Sequence, residues 1–571
     1  MKRFIAIITL LLCTSPLIQT VTAQRTTPGP ILQALDDELK RAFQVLKQKG
    51  DPVPYFISYS VNDIQTTELE ASLGATRVKQ DDHSRLLDVD VRVGDYQLDN
   101  THQIRGQRGN NTGPAFSYPV VMPIDNDTDA LKSVIWLETD QKYRAAVERF
   151  IQVKANRTIK VEEEDTSADL SREVKQTTVL PLANVEINVP TWEKKLKDYS
   201  ALFNKYPEIY DGSVGISSTA SNDYLVNSEG TAIQHGTGAI RLSIYARTKA
   251  DDGMELYRFE AFDAHSADHL PSDQVIRQTI DTMVRDLKAL RTAPVIEPYT
   301  GPAILSGRAS GVFFHEIFGH RIEGHRQKSE SEGQTFTKKV NQPILPDFLS
   351  VIDDPTTERL AGTDLNGYYA FDDDGVPAQR VNVVDKGVLK NFLMSRSPVS
   401  GFETSNGHGR KAPGFRSVGR QGNLIVQATN TVNDAKLRAM LIEEAKKQGK
   451  TFGLLFKDIS GGFTLTGRAS PQSFQVTPII VYRIYVDGRP DELVRGVDLI
   501  GTPLTSFSKI VAAGDTPEVF NGFCGAESGY VPVSAVSPSI LTAQIEVQKK
   551  AKASDRPPIL PPPTGSRGGR P

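Results

Sequence analysis

The chain has 571 residues, room for two to four domains at roughly 150 residues each. Hydrophobic residues make up 39% and charged residues 24%, a globular balance that excludes collagen-like, polytopic membrane and wholly disordered chains. The 66 basic residues against 69 acidic ones leave a net charge of −3, which offers no footprint for nucleic acid. The first element is a leader. Lys2 and Arg3 precede an apolar run from Phe4 to Cys13, and Val21-Thr22-Ala23 supplies small residues before Gln24. This is the pattern of a cleavable signal peptide over residues 1–23. Ser15 and Pro16 cut the run short of the about 18 residues a membrane span needs, so no stable membrane insertion is expected. Bulky Leu12 also argues against a lipid anchor on Cys13. Cleavage near Ala23-Gln24 predicts a periplasmic or secreted protein. It removes one of only two cysteines and leaves Cys524 alone in a compartment that oxidises pairs. Neither a disulfide framework nor a zinc module of paired CxxC motifs is then available.

Residues 31–49 carry apolar positions at helical spacing and stop at Gly50-Asp51-Pro52, which predicts a helix. Alternating segments between Tyr55 and Gln103 predict half-buried strands. Residues 106–200 are more polar, with a central helix (129–157) and an acidic run, Val161 to Asp165, read as solvated surface. Strands return at 212–221, 224–227 and 238–247, and a helix at Asp273–Arg291. Pro294, Pro298 and Pro302 mark a boundary. Beyond it, after one helix around Gly307–Gly319, short strands and glycine turns are expected to about Gln548. The end of the chain, from Ser554 to Pro571, is rich in proline and predicts an extended tail. The organisation is therefore a signal peptide (1–23), an α+β domain (24–297), a second domain (298–550) and a disordered tail (551–571).

Three of the nine histidines fall within eleven residues: His315, His320 and His325, with Glu316 beside the first. In an HExxH zinc helix the two imidazoles share one face. Here the motif is HExxxH, and five residues advance an ideal helix by about 140°. Two ligands so placed meet one ion only where the helix is distorted or ends between them, and Gly319 is the cheapest place for that. Two readings stay open on spacing alone: a metal site, or a buried histidine with solvated neighbours.

Other segments settle on a family. Tyr224-Leu-Val-Asn-Ser-Glu-Gly230, Phe314-His-Glu-Ile-Phe-Gly-His-Arg-Ile-Glu-Gly324 and Val351-Ile-Asp-Asp-Pro355 occur in order. They are followed by Asp373-Asp-Gly-Val-Pro377 with Gln379-Arg380, Gly387–Arg396, Ser405-Asn-Gly-His-Gly-Arg410 and Val494–Pro503. Phe523-Cys-Gly525 and Tyr530-Val-Pro-Val533 complete the set. In this order the chain resembles the TldD/PmbA metallopeptidases across most of residues 55–547. The likeness is weakest over 106–200, which reads as an insertion. The resemblance implies a two-domain α+β fold: a mixed α/β N-terminal domain and a largely antiparallel β C-terminal metallopeptidase domain. It implies Zn2+ bound by His315, His320 and Cys524, with Glu316 as general base. Three N/S ligands leave the fourth tetrahedral position open, as in catalytic rather than structural zinc sites. An unpaired thiol in an exported protein agrees with a metal-bound role, and the glycines at 522 and 525 predict a turn that aims the sulfur. The alternative is a buried, inert thiol.

Glu323 is expected to hydrogen-bond a ligand histidine or form a surface salt bridge. His325 stands where the family usually has aspartate and is an alternative third ligand. His408 could contact substrate or be a solvated loop histidine. Arg380, Arg396 and Arg410 could orient a peptide carboxylate or an oxyanion, or form structural ion pairs. Asp372-Asp373-Asp374 lacks EF-hand spacing and predicts a turn into Gly375. The reading is an exported zinc-dependent peptidase for extended or unfolded peptides, a homodimer or a heterodimer with a PmbA-type subunit. Its rivals are a non-catalytic scaffold with a structural metal and a metal-dependent hydrolase of a non-peptide envelope substrate.

Overall fold

The computed structural model describes residues 28–104, 117–157, 165–469, 473–502, 506–550, 558 and 560. The expected signal peptide, most of the acidic run and all but two residues of the proline-rich tail lie outside the described residues.

The chain first builds a seven-stranded sheet. Helix α1 (Pro30–Lys49) opens with proline in its first turn, where a missing N–H costs nothing. It covers the hairpin of β1 (Pro54–Ser72) and β2 (Ala75–Val93). Leu73 and Gly74 join these strands with φ of 50° and 89°, the mirror-image turn that matches strand twist. Helices α2 (Thr128–Arg157) and α3 (Val189–Ser200) follow, then β3 (Asp211–Asn227), β4 (Ala232–Lys249) and β5 (Glu255–Ala264). The sheet runs β2-β1-β3-β4-β5, all antiparallel. Val120–Val121 adds to β2, and Thr177–Val179 lies parallel to the start of β4. Helix α4 (Asp273–Thr292), capped by the Ser272 hydroxyl, places Ile276, Ile280, Met283, Val284 and Leu287 on one stripe. That stripe packs on Val214, Ile216, Leu242 and Ile244 of β3 and β4.

The remaining elements form an eleven-stranded, largely antiparallel sheet, so the chain is a two-sheet α+β protein. In order they are β6 (Tyr299–Leu305), helix α5 (Gly307–Ile317), β7 (Leu349–Asp353), β8 (Val381–Asp385) and β9 (Asn423–Ala428). Helix α6 (Asp434–Lys447), β10 (Phe452–Thr464), β11 (Phe474–Tyr485), β12 (Val497–Gly501), β13 (Ile510–Ala526) and β14 (Gly529–Lys549) follow, and the short segments Val388–Leu389, on β8, and Glu492–Val494, on β11, bring the strands to eleven. β6 pairs with β10 on one side and β14 on the other. The path β14-β12-β11-β10-β6 therefore closes on itself. Helix α5 packs against this ring, with Phe313 edge-on to Phe474 and Phe507. Every residue of α5 from Ala309 to Ile317 is buried.

Three sequence expectations need correction here. Helix α6 was not anticipated: only Leu437, Leu441 and Ala445 are buried, a stripe too thin to stand out, although Asn433 caps its first turn by accepting from Lys436 N at 2.9 Å. The strands are not all short, since β13 and β14 span 17 and 21 residues. Cys524 lies inside β13, paired with Val531, rather than in a turn; the chain reverses only at Glu527 and Ser528. The aspartate triplet does form its turn: Asp372 O accepts from Gly375 N at 3.0 Å, and Gly375 has φ of 80°.

Candidate metal centre

Helix α5 ends at Ile317, and Gly319–Arg321 turns as a separate 3-10 segment. His315 therefore sits in the last helical turn while His320 belongs to the next element, and the 140° separation of an ideal helix does not apply. Their rings lie 5.1 Å apart, nearly perpendicular at 79°. Arg321 closes the helix end by donating to the Glu316 and Ile317 carbonyls at 3.2 and 3.0 Å. It also donates to Thr464 Oγ1 and Leu465 O beyond β10, which ties the helix to that strand.

Cys524 reaches the same point from β13. Its Sγ lies 3.2 Å from His315 Nε2 and 3.3 Å from His320 Nε2, and all three side chains are buried. Zn–S of about 2.3 Å and Zn–N of about 2.0–2.1 Å at a tetrahedral angle imply N···S edges of about 3.5 Å. The donor set fits such an ion within a few tenths of an ångström. Its chemistry, one thiolate and two imidazoles, suits a borderline-soft cation. The electrostatics agree. Burial would push the Cys524 thiol up, but His320 and His315 beside it outweigh burial and hold it well below the ordinary thiol range. Burial likewise disfavours both imidazolium forms, yet the thiolate raises His315 and His320. The pairing favours a thiolate beside imidazolium, so that ligation would release imidazolium protons.

Glu323 is fully buried and faces the other side of His320, with Oε1 3.2 Å from Nδ1. Burial alone would raise its carboxyl, but His320 and then Arg326 lower it to about 2. Glu323 Oε2 accepts from Arg326 Nε at 2.8 Å, and Arg326 Nη2 donates to Glu527 Oε2 at 2.7 Å. His325 Nε2 contacts Glu527 Oε1. Glu323, His325 and Glu527 are themselves close enough to share an ion, but the Arg326 guanidinium already supplies the positive charge between the two carboxylates. His325 is engaged with Glu527 rather than with the His315–His320–Cys524 group.

The donor set lies at the floor of a cavity of about 780 Å³. Val312, Val533 and Ala535 flank the floor, Gly462 and Phe463 of β10 and Phe523 of β13 form walls, and Arg241 and Phe259 reach in from the first sheet. Glu316 also lines it. Among the described residues its carboxylate has no hydrogen-bond partner, and its one ion-pair approach is His320 Nε2 at 4.0 Å.

The other candidates lie elsewhere. Arg396 pairs with Glu229 at 2.8 Å and stacks on Phe56, while Arg380 is exposed. Arg410 is buried, donating to Gln421 O and Pro532 O at 2.9 and 2.6 Å. His408 is neither solvated nor in the cavity: it is fully buried, with Nε2 3.2 Å from Asp353 Oδ1. Backbone carbonyls hold Arg410 and the buried Asp353 carboxylate holds His408, which removes these two from substrate. Conversely, Arg321, Glu527, Arg420 and Gln421 were not singled out. Arg321, Arg420 and Gln421 act mainly on backbone carbonyls and Glu527 on His325 and Arg326, most of them across large sequence separations, and no local pattern marks that.

Residues 298–549 match the family described as the PmbA/TldA metallopeptidase C-terminal domain. A metalloprotease of Archaeoglobus fulgidus is 30% identical over 42% of this chain and 51% of its own length. A zinc metalloprotease TldD homolog of Saccharolobus solfataricus is 23% identical over 64% of this chain and 74% of its own. Across three archaeal metalloproteases the chain spans 51, 66 and 53% of the relative's length. The crystal structure of TldE from Thermococcus kodakarensis superposes with a TM-score of 0.58 at 13% identity, covering 90% of this chain and all of that one.

Proposed function

Because the chain belongs to the TldD/PmbA family, we propose that it is an exported, zinc-dependent peptidase that hydrolyses extended or unfolded peptides. The observation that carries this reading is the convergence of His315, His320 and Cys524 within 3.2–3.3 Å contacts, beside a Glu316 carboxylate with no hydrogen-bond partner among the described residues, in the lining of one cavity. Zinc is favoured by the donor chemistry and by the name of the Saccharolobus relative. Bound there, the metal supplies Lewis acidity toward a peptide carbonyl and a nearby water.

The chain's own residues do the rest. His315 Nε2, His320 Nε2 and Cys524 Sγ would hold the ion, in a site that opens on the cavity they line. Glu316, without a hydrogen-bond partner among the described residues and lining the cavity, takes the proton of the attacking water and returns it to the departing amine nitrogen. Glu323 fixes the His320 tautomer by accepting from Nδ1, which leaves Nε2 for the metal. That arrangement favours an open site over a closed structural one, because Glu323 faces the wrong ring nitrogen to serve as a fourth ligand and His325 is held by Glu527. Among the described residues strand β13 pairs with β14 and, on its other side, bridges only Val432 at Gly514, so the rest of that edge can accept an extended peptide through backbone hydrogen bonds.

Export rests on the leader pattern of residues 1–23 with cleavage near Ala23-Gln24, and mass spectrometry of the mature N-terminus tests it. Among the described residues no helix is long and apolar enough to cross a membrane. We assign the chain to the motif-bearing side of a dimer, either with itself or with a PmbA-type subunit; native mass spectrometry of the purified chain separates the two. The catalytic reading is tested by metal analysis and hydrolysis of unfolded peptides. Glu316→Gln should keep zinc and lose about 10²–10⁴-fold in turnover, whereas Cys524→Ala should lose both. Wild-type turnover in Glu316→Gln would end the proposal.

A further inference from the structure

Two consecutive residues reach the donors, holding the Cys524 and His315 carbonyls directly and His320 through Glu323. Arg420 follows the short strand Val418–Gly419 and is fully buried. Its Nη2 donates to the Cys524 carbonyl at 2.7 Å, and its Nη1 to Ser528 Oγ at 2.8 Å and Gly529 O at 3.2 Å, at the hairpin tip. Its Nε lies 3.3 Å from Glu323 Oε1, the same oxygen that meets His320 Nδ1. Gln421 Nε2 donates to the His315 carbonyl at 3.4 Å. Gln421 is also fully buried, and its Oε1 has no partner among the described residues, an expense that packing alone does not explain.

Such a grip has a physical purpose. Among the described residues β13 pairs with β14 and otherwise only bridges Val432 at Gly514, and Cys524 sits close to the hairpin turn, where the ribbon is two-stranded. A two-stranded ribbon twists easily, while metal–ligand distances tolerate only about 0.2 Å. A planar guanidinium can serve the Cys524 carbonyl, the hairpin tip and Glu323 at once, which a lysine ammonium cannot. We propose that Arg420 and Gln421 are positioning residues that set the His315–His320–Cys524 geometry for a metal ion. The inference rests on the metal-binding reading above.

The test uses the full mature chain as wild type, Arg420→Lys, Gln421→Met and Ser528→Ala, with Arg396→Lys as a buried arginine remote from the cavity. Zinc affinity is read by chelator competition, donor geometry by the visible spectrum of the cobalt-loaded protein, and folding by melting of the metal-free chain. Arg420→Lys and Gln421→Met should weaken zinc by about 10–100-fold and alter the cobalt bands. Ser528→Ala should change both in the same direction by less. Arg396→Lys should lower the melting temperature while leaving affinity and spectrum as in wild type. Wild-type affinity and spectrum in a folded Arg420→Lys protein overturn the inference. If that variant does not fold, wild-type values in both Ser528→Ala and Gln421→Met overturn it. A wild-type chain that takes up neither zinc nor cobalt defeats the metal reading itself, a different result from variants that bind as wild type does.

Discussion

Gly319 and Gln421 compete for one volume: a Cβ on Gly319 would lie 1.9 Å from Gln421 Oε1 and 2.2 Å from its side-chain carbonyl carbon. The residue between the two histidine donors must therefore lack a side chain for a reason separate from helix termination. Gly319→Ala should push Gln421 off the His315 carbonyl and shift the turn that carries His320. The expected outcome is a loss of about 1–3 kcal/mol in stability from overpacking, with zinc affinity down by about 10–100-fold. Thermal melts and chelator competition read the two effects, and an unchanged affinity would show that the turn absorbs the methyl group.

Gly462 stands in the same relation to the proposed base. A Cβ there would come within 2.9 Å of both Glu316 Cγ and Gln475 O. The Gln475 oxygen is backbone in the β10–β11 ladder and cannot yield, so Glu316 must move. Gly462→Ala leaves the three donors untouched. It should lower turnover of unfolded peptides by about 10-fold or more while metal content stays at the wild-type level; misplacement of a reacting group by about 1 Å can cost up to about 100-fold. Equal losses of metal and turnover would mean that the wall supports the donors rather than the base.

Much of the fold was legible because its elements carry strong periodic signals. The α4 stripe and the long alternating hairpins are examples. Helix α6 buries only three side chains and was lost for that reason. The same contrast holds at the site. His315, Glu316 and His320 stand in one short motif, and their unusual spacing pointed to a break at Gly319, where the helix has indeed already ended. Cys524 stood out as the single thiol left after the expected leader and through the family resemblance of its Phe523-Cys-Gly525 segment. Arg420 and Gln421 did not stand out at all, because their partners are backbone carbonyls more than a hundred residues away. Arg396, Arg410 and His408 in conspicuous motifs instead serve ion pairs and carbonyls. Residue type and motif identify who can do chemistry; only the fold says which polar groups are already satisfied.

The lowered Cys524 thiol gives a prediction for the metal-free chain. An ordinary thiol loses about tenfold in alkylation rate per pH unit below about 8.5. Here His320 and His315 hold the sulfur as thiolate against burial, so the rate should stay nearly flat from pH 8 to pH 6. Iodoacetamide labelling followed by mass spectrometry checks this, with Cys524 as the sole thiol of the mature chain. Zinc added before the reagent should protect it. A tenfold fall per unit through this range would mean that the imidazoles do not govern the sulfur.

Glu323 makes the stability of the metal-free chain depend on pH in a definite direction. Its carboxyl is lowered from 4.5 to about 2 by His320 and Arg326, which prevail over burial. A carboxyl depressed in the folded state binds fewer protons there than in the unfolded chain between these two values, so stability rises with pH across that interval. The contribution is complete above about pH 5 and is lost as pH falls toward 2. With 1.36 kcal/mol per tenfold change it amounts to at most about 3 kcal/mol. Denaturant unfolding in the presence of a chelator, at steps between pH 2.5 and 7, should therefore show a fixed gap between wild type and Glu323→Gln above pH 5. That gap should narrow steadily below it. A gap that persists undiminished to pH 2.5 would place the stabilising charge on a group other than Glu323.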